Sequence, residues 1–336
     1  MVMGYGKSIM VKVFKGDTPE RIPIAPLIGV HSANICGIKP SVAFHNSEVM
    51  ADLQYRAIKY YKSDIVTTWM DLTFEPEALG AKIKWNVIPQ IAEHITLSSL
   101  NEIDSLPEDI TSMGRFPVYV NALSILKEKA QGEYLVCSYL SGPLTLPTSL
   151  LGVRKILKAF ILEKDFIRKL LEKITTIQLN SAKALIKAGA ECIIILEPTA
   201  SLISKKIFEE YILDKLKTLT DFIHQNKSYI ILHMCGKSGH LLDTIDNIGV
   251  DALSIDDNVD IKLAFKRVRK SSIMGNISTI SLLNLDPREI KKLAEDLLGK
   301  VDKHRFILST GCDIPYNTPQ ENLKTLIETC LLLSSS

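Results

Sequence analysis

Short, continuous apolar runs alternate with longer amphipathic stretches along most of this chain. The apolar runs are not interrupted by polar residues at every second position, which is the pattern of parallel β-strands covered on both faces. Predicted strands occupy residues 23–28, 64–69, 134–140, 192–196, 229–234, 252–255, 272–275 and 306–309. Predicted helices, with apolar residues at helical spacing, occupy residues 47–61, 164–187, 204–225, 241–247, 261–269, 281–298 and 318–333.

Eight strands that alternate with helices predict an α/β fold, specifically a (β/α)8 TIM barrel. A length of 336 residues suits one large α/β domain, so we predict a single TIM-barrel domain over residues 1–336. Residues 72–118 are too long for one connection between a strand and a helix. We expect this segment to form an extended excursion after strand two, an insertion that caps one face of the barrel.

Charge and hydropathy exclude several classes of partner. The chain has 40 basic and 38 acidic residues, a formal net charge of +2, which gives no electrostatic basis for binding nucleic acid or an anionic membrane. No apolar run approaches the roughly 20 residues of a spanning helix. The first 17 residues lack the apolar core and cleavage site of a secretion signal, so we expect a cytoplasmic protein.

Three soft metal ligands follow two of the predicted strands. His233 and Cys235 end the strand at 229–234, and Cys312 follows the strand at 306–309. Residues two apart on a strand point to the same side, so His233 and Cys235 could reach one ion. Imidazole and thiolate are zinc ligands, and a site with three protein ligands keeps one position open, as catalytic zinc requires. The alternative is a buried histidine beside two unrelated cysteines.

Four further polar residues follow predicted strands, and in a TIM barrel this end of the strands carries the active site. We predict that Glu197 is catalytic, as a fourth zinc ligand or as the proton acceptor for an incoming thiol; a salt bridge is the alternative. Asp71 is the second predicted catalytic residue, with a loop or helix-cap hydrogen bond as its alternative. Asn276 and Asp256 are predicted to bind substrate. Zinc held by two thiolates and a neutral imidazole carries no net charge and favours chemistry on an external thiol.

The motifs at these residues resemble those of the uroporphyrinogen decarboxylase superfamily. The resemblance lies in residues 14–23, 70–80, 141–146, 197–201, 233–236, 274–277 and 311–315. More narrowly, the His-x-Cys…Cys pattern is similar to the methylcobamide:coenzyme M methyltransferase branch. The resemblance implies that His233, Cys235 and Cys312 bind Zn2+, which activates the thiol of coenzyme M. It further implies a partner, a methylated corrinoid protein, from which the thiolate takes a methyl group at the barrel mouth.

Two other functions stay open beside this prediction. In the decarboxylase branch, an arginine-rich segment after the first strand would hold the carboxylates of a porphyrinogen, but residues 27–34 contain no arginine. Asp71 matches the central aspartate of that branch and does not separate the two. A uroporphyrinogen decarboxylase-like carboxy-lyase and a non-catalytic corrinoid-binding barrel are the alternatives, and coenzyme M, homocysteine and tetrahydrofolate are candidate methyl acceptors.

Overall fold

A computed structural model describes residues 4–334 and contains one curled parallel sheet of seven strands. The order across the sheet is β1-β4-β5-β6-β7-β8-β9, and β2 and β3 form a separate antiparallel hairpin. The strands are β1 Ile65–Thr67, β2 Lys82–Lys84, β3 Gln90–Glu93, β4 Leu135–Ser141, β5 Cys192–Leu196, β6 Tyr229–Met234, β7 Ala252–Ile255, β8 Ser272–Ile277 and β9 Phe306–Thr310.

Helices cover the outer face of the sheet and the two ends of the barrel. They are α1 Tyr5–Phe14, α2 His31–Ile35, α3 Pro40–Ala43, α4 Ser47–Tyr61, α5 Phe74–Ala78, α6 Leu100–Asp104, α7 Phe116–Ala130, α8 Thr145–Leu151, α9 Val153–Leu162, α10 Lys164–Ala188, α11 Lys205–Ile207, α12 Leu213–Gln225, α13 Leu242–Ile245, α14 Ile261–Arg267, α15 Thr279–Asn284, α16 Pro287–Leu298 and α17 Gln320–Ser334. Shorter 3-10 segments are Pro198–Leu202, Gly239–Leu241 and Lys303–Arg305, and Phe208–Ile212 is a π-helical turn. Among the helices described, none is both long and apolar enough to cross a membrane.

The gap between β9 and β1 is filled by the segment predicted as the first strand. Only Ile24 forms a β-bridge there, to Leu308, so the prediction of a full strand at 23–28 is wrong. Pro23 and Pro26 explain the difference, because neither has an N–H to give to a ladder. The segment still bonds to both edges: the Ala25 N–H donates to the Leu308 carbonyl at 2.8 Å. On the other side the Asp64 N–H donates to the Ile24 carbonyl at 2.7 Å, so the chain makes a TIM-barrel-like ring.

Several other predicted boundaries are confirmed or corrected by the structure. Strands β5, β6 and β7 have the predicted bounds. The predicted helix at 281–298 is two helices, because Asp286 caps α16 and Pro287 occupies its first turn, which stops the preceding helix. The predicted helix at 204–225 is broken by the π-helical turn at Phe208–Ile212.

The interior of the barrel is a second apolar core, distinct from the one between sheet and helices. Its members are Met10, Val13, Ala25, Leu27, Ile65, Leu135, Cys137, Tyr139, Cys192, Ile194, Leu196, Ile231, Ala252, Met274 and Ile307. Its members in β4 are Leu135, Cys137 and Tyr139, and in β5 Cys192, Ile194 and Leu196, which is the alternation that a strand requires. Met10 and Val13 come from α1, which therefore closes the amino-terminal end of the barrel. The opposite end is left for the polar residues that follow the strands.

The segment after β1 lies at that opposite end of the barrel. Residues 72–118 hold α5, the β2–β3 hairpin and α6. The Ile95 N–H donates to the Leu150 carbonyl at 3.0 Å, which joins the segment to α8 after β4. This agrees with an excursion on the face where the strands end. That the whole chain is one domain, with 72–118 as its capping insertion, stays a prediction.

Candidate metal centre

The three predicted metal ligands meet at the carboxyl end of the barrel. Ile231 of β6 faces the barrel interior, so His233 and Cys235, two and four residues later, face the same way. Cys312 arrives from the turn after β9, beyond β7 and β8 in the sheet. His233 is buried, with 1% of its surface exposed, and both cysteines are partly exposed. One histidine and two cysteines thus converge on a point that is accessible from the barrel mouth.

The distances between the donor atoms suit a single metal ion. His233 Nε2 lies 2.9 Å from Cys235 Sγ, which lies 3.2 Å from Cys312 Sγ, and all three ligand atoms lie within 4.8 Å of one another. Ligands of a tetrahedral zinc ion lie about 3.5 Å apart, given typical zinc–nitrogen and zinc–sulfur bonds. Within residues 4–334 no fourth histidine, cysteine or carboxylate belongs to this group. The donor set therefore fits an open, three-ligand zinc site.

A neighbouring strand orients the histidine. Ser254 of β7 is paired in register with His233, and its Oγ lies 2.9 Å from His233 Nδ1. With Nδ1 engaged by the serine, Nε2 is directed at the two sulfurs. Such a second contact fixes the ring orientation and tautomer of metal-binding histidines.

A hydrogen bond joins the two thiols, whose sulfur atoms lie 3.2 Å apart. A hydrogen bond from Cys235 lowers the pKa of the Cys312 thiol, with a further contribution from His233, although burial opposes the shift. The same hydrogen bond and burial raise the pKa of Cys235. Cys312 is therefore the thiol that ionises first, which favours capture of a cation at this point.

Asp256 and Asn276, which are predicted to bind substrate, form hydrogen bonds to the loops beside the cysteines. Asp256 accepts a hydrogen bond from the Gly236 N–H at 2.9 Å, next to Cys235. Burial opposes ionisation of Asp256, but hydrogen bonds from Asp257, Gly236 and Asn258 lower its pKa to about 2. The Asn276 amide donates to the Asp256 carbonyl at 3.2 Å and to the Val259 carbonyl at 2.9 Å. Contact with substrate stays a prediction for both residues.

Glu197 is not brought to the three ligands. Leu196 of β5 faces the barrel interior, so Glu197 faces the opposite side, toward α8. Its carboxylate accepts hydrogen bonds from the Leu144 N–H at 2.8 Å and the Thr145 hydroxyl at 2.5 Å. Burial raises its pKa to about 7. In this arrangement Glu197 contacts the metal centre through its backbone only, because its N–H donates to the His233 carbonyl at 2.9 Å.

Gly142 provides the space that Glu197 occupies. A Cβ atom at Gly142 would lie 2.2 Å from Glu197 Oε2 and 2.9 Å from Glu197 Cβ. Because Glu197 is fully buried and cannot swing into solvent, we expect Gly142→Ala to lower the free energy of unfolding by about 1–3 kcal/mol. Urea denaturation measures this. The matched control is Gly239→Ala, where a Cβ would have no neighbour within 4 Å; equal effects at the two positions would contradict the steric explanation.

Asp71 lies in a buried ionic network rather than in an open pocket. One carboxylate oxygen accepts hydrogen bonds from Arg115 and from the Tyr119 hydroxyl, both at 2.6 Å. The other accepts from the Thr73 N–H at 2.7 Å and the Thr73 hydroxyl at 2.6 Å. The loop hydrogen bond foreseen as the alternative is thus present. A catalytic role for Asp71 stays a prediction.

Sequence reasoning missed Glu75, which lies in α5 and does not follow a strand directly. Its Oε2 accepts a hydrogen bond from the Ser141 N–H at 2.7 Å. This N–H is left without a strand partner because β1 ends at Thr67. Burial, and to a lesser extent the charge of Asp71, raises the pKa of Glu75 to about 7.

The raised pKa of Glu75 predicts a pH-dependent stability. The folded protein binds the Glu75 proton more tightly than the unfolded chain does. The contribution of Glu75 to the free energy of unfolding is therefore largest below the ordinary pKa of about 4.5. This contribution is lost as the pH rises to about 7. Relative to Glu75→Gln, we expect the wild type to lose about 2–3 kcal/mol of unfolding free energy between pH 5 and pH 8. Chemical denaturation at several pH values tests this, with the exposed Glu128→Gln as control. A difference independent of pH would refute it.

Comparison with known proteins identifies a family and relatives of this chain. The family model described as uroporphyrinogen decarboxylase (URO-D) matches residues 6–331. Methylcobamide:CoM methyltransferase MtbA of Methanosarcina mazei is 30% identical over 292 residues, which cover 85% of each chain. Methylcobamide:CoM methyltransferase MtaA of Methanosarcina barkeri is 26% identical over 331 residues, or 96% of each chain.

A solved structure supports the same fold. A methyltransferase from Methanosarcina mazei superposes with a TM-score of 0.89 at 24% identity, covering 99% of both chains. The family match spans nearly all of the chain, and the ring of parallel strands carries the His-x-Cys…Cys pattern at its carboxyl end. The chain therefore belongs to the uroporphyrinogen decarboxylase family.

Proposed function

We propose that this protein is a zinc-dependent corrinoid methyltransferase. It moves a methyl group from a methyl-Co(III) corrinoid, carried by a partner protein, to a thiol such as coenzyme M. Relatives named as methylcobamide:CoM methyltransferases support an enzyme of the methyltransferase type. The observation that carries the proposal for this chain is the convergence of His233 Nε2, Cys235 Sγ and Cys312 Sγ within 4.8 Å of one another.

The residues of the site have separate roles in this reaction. Zinc, when bound by His233, Cys235 and Cys312, would supply a Lewis acid that keeps an incoming thiol deprotonated near neutral pH. Ser254 holds the His233 ring so that Nε2 stays directed at the sulfurs. Asp256 accepts a hydrogen bond from the Gly236 N–H and so fixes the turn that carries Cys235.

The methyl transfer is a displacement in which the sulfur of the thiol substrate replaces the cobalt of the corrinoid on the methyl carbon. The substrate sulfur forms a bond to the methyl carbon while the carbon–cobalt bond breaks. The electron pair of that bond stays on the corrinoid, which leaves as Co(I), and the thiol proton is released to solvent. The protein residues position the sulfur and are not consumed.

Exposed apolar side chains in the segments that follow the strands support a protein partner at that end of the barrel. Most of the large exposed apolar side chains in the described part of the chain lie in segments that follow strand ends. These are Val42, Trp85, Val87, Ile88, Leu100, Met113, Val153, Ile161, Leu162, Leu202 and Ile280. Clusters of exposed apolar residues mark interaction surfaces. A corrinoid protein that delivers its methyl group into the mouth would contact this face.

A spectroscopic assay tests the proposal. Methylcob(III)alamin, or a methylated corrinoid protein, is mixed with zinc-loaded protein and with coenzyme M, homocysteine or tetrahydrofolate in separate reactions. We expect loss of methyl–cobalt absorbance with a thiol, coenzyme M first. Loss of absorbance with none of the acceptors would overturn the proposal, and turnover of uroporphyrinogen in the presence of a chelator would establish a carboxy-lyase instead. The absence of arginine from residues 27–34 argues against that second outcome.

A further inference from the structure

The turn that carries Cys312 is held in place by contacts with two other parts of the chain. Cys312 lies beyond the end of β9, so no strand ladder fixes its backbone. The two other candidate ligands are anchored more directly, because His233 belongs to β6 and Cys235 follows the last residue of that strand. The contacts of the Cys312 turn therefore decide whether the third donor meets the other two.

Thr310, the last residue of β9, holds the outer side of this turn. Ile307 faces the barrel interior, so Thr310, three residues later, faces outward. Its hydroxyl donates to the Cys312 carbonyl at 2.7 Å and accepts a hydrogen bond from the Leu27 N–H at 3.3 Å. The Leu27 carbonyl accepts a further hydrogen bond from the Ile314 N–H at 2.9 Å. Because Thr310 has no exposed surface, water does not replace these bonds.

Gly311 brings the other side of the turn against the loop after β7. A Cβ atom at Gly311 would lie 2.9 Å from the Asp257 nitrogen and 3.4 Å from the Asp256 carbonyl carbon, so a side chain does not fit between the two backbones. The same loop contacts the turn of Cys235, because Asp256 accepts a hydrogen bond from the Gly236 N–H at 2.9 Å. This loop therefore touches the turns of both cysteines and sets how far apart they lie.

A metal centre is sensitive to this spacing. The two cysteine sulfurs lie 3.2 Å apart, and a bound metal tolerates deviations of only about 0.2 Å in its ligand distances. Groups that orient a metal ligand without binding the metal change metal affinity by about 10–100-fold when they are removed. A small displacement of the Cys312 turn should therefore weaken metal binding even if the three donors are all present.

We propose that Thr310 and Gly311 are positioning residues that hold Cys312 at binding distance from the metal ion. The inference rests on the proposed function for the identity of the metal, zinc, and adds two residues that supply no donor atom to the ligand group. The Thr310 hydroxyl restrains the Cys312 carbonyl. The missing side chain of Gly311 lets the turn approach the loop after β7.

The zinc affinity of Thr310→Val tests the first of these residues. Valine keeps the shape of threonine but removes the hydroxyl, so the Cys312 carbonyl loses its restraint. We expect the Kd for zinc, measured by competition with a chromophoric chelator, to rise about 10–100-fold. Thr310→Ser keeps the hydroxyl and should retain the wild-type affinity.

Ser63→Ala is the matched control for the lost hydroxyl. The buried Ser63 hydroxyl donates to the carbonyl two residues later at 2.9 Å and accepts from an N–H at 3.3 Å, as Thr310 does, but it precedes β1 at the opposite end of the barrel. Both variants should lose similar unfolding free energy in urea without metal, and only Thr310→Val should lose zinc affinity. Equal losses of zinc affinity would reflect stability alone and would overturn the role of Thr310.

Gly311→Ala tests the second residue, with Gly239→Ala as its control. The added methyl group must push the Cys312 turn away from the loop after β7, so the Kd for zinc should rise in the same range of about 10–100-fold. At Gly239 a Cβ has no neighbour within 4 Å, and the affinity should stay unchanged.

Cobalt(II) in place of zinc reports the position of the Cys312 sulfur directly. At saturating cobalt, the thiolate-to-cobalt charge-transfer absorbance of Thr310→Val and Gly311→Ala should fall toward that of Cys312→Ser. Variants that only weaken the fold should keep the wild-type absorbance, as we expect for Ser63→Ala and Gly239→Ala.

The outcomes separate this inference from the proposed function. A wild type that binds no zinc would overturn both. A wild type that binds zinc but transfers no methyl group to any acceptor would overturn the proposed function, while the metal affinities still test the inference. Unchanged zinc affinity and cobalt absorbance in Thr310→Val or in Gly311→Ala would remove that residue from the proposal, and unchanged values in both would overturn it.

Discussion

Cys312→Ser is expected to lose bound zinc and methyl transfer to a thiol together. The variant keeps the size of the side chain but removes one of the three donors that lie within 4.8 Å of one another. Loss of a residue that only supports a metal ligand weakens metal affinity by about 10–100-fold, so loss of a ligand should exceed about 100-fold. Elemental analysis after dialysis against a weak chelator should find about one zinc per wild-type chain and nearly none in the variant.

Cys36→Ser is the matched control for the metal prediction. Cys36 is also a partly exposed free thiol, but it lies at the end of α2 and outside the ligand group. Its replacement should leave zinc content and activity at the wild-type values. If Cys312→Ser retained zinc as firmly as Cys36→Ser, or if the wild type bound no zinc, the three-ligand site would be wrong.

The sequence could predict the ring of strands because each strand is a local, continuous apolar run. The ends of these runs also located the candidate ligands in the fold, because the residue that follows a parallel strand lies at the active end of a barrel. His233 and Cys235 could be paired from their spacing, because alternation along a strand is a local property. Cys312 could be added since β9 ends at the same face as β6.

Other features depend on contacts between distant segments and could not be predicted from local pattern. Glu197 points away from the ligands because it directly follows the inward-facing Leu196, whereas His233 is two residues beyond the inward-facing Ile231. Which face of a continuous apolar run points inward is decided by the strands and helices that pack against it. The partner of Asp71 is Arg115, 44 residues later, and the approach of the two is decided by how residues 72–118 fold back.

Arg115→Met should destabilise the fold more than any surface change. Arg115 donates to Asp71 and to the Thr73 hydroxyl, and it lies 4.7 Å from the centre of the Trp85 ring. The side chains of Arg115 and Asp71 are 5% and 1% exposed, so the variant leaves a buried carboxylate without its cation. Breaking a buried ion pair from one side costs about 3–5 kcal/mol, because the remaining charge stays desolvated. Urea denaturation should show this loss with an unchanged metal content in the folded protein.

Arg56→Met measures the same chemical change at the surface. Arg56 pairs with Asp52 at 2.7 Å, but its side chain is 65% exposed, and exposed pairs of this kind contribute about 0–1 kcal/mol. Arg115 also pairs with Glu77 at 2.5 Å, so the difference between the two variants measures burial together with this second carboxylate. A loss below about 1 kcal/mol for Arg115→Met would mean that Asp71 does not need its cation to stay buried. Asp71 would then be available as a hydrogen-bond acceptor for a substrate, and its predicted catalytic role would gain support.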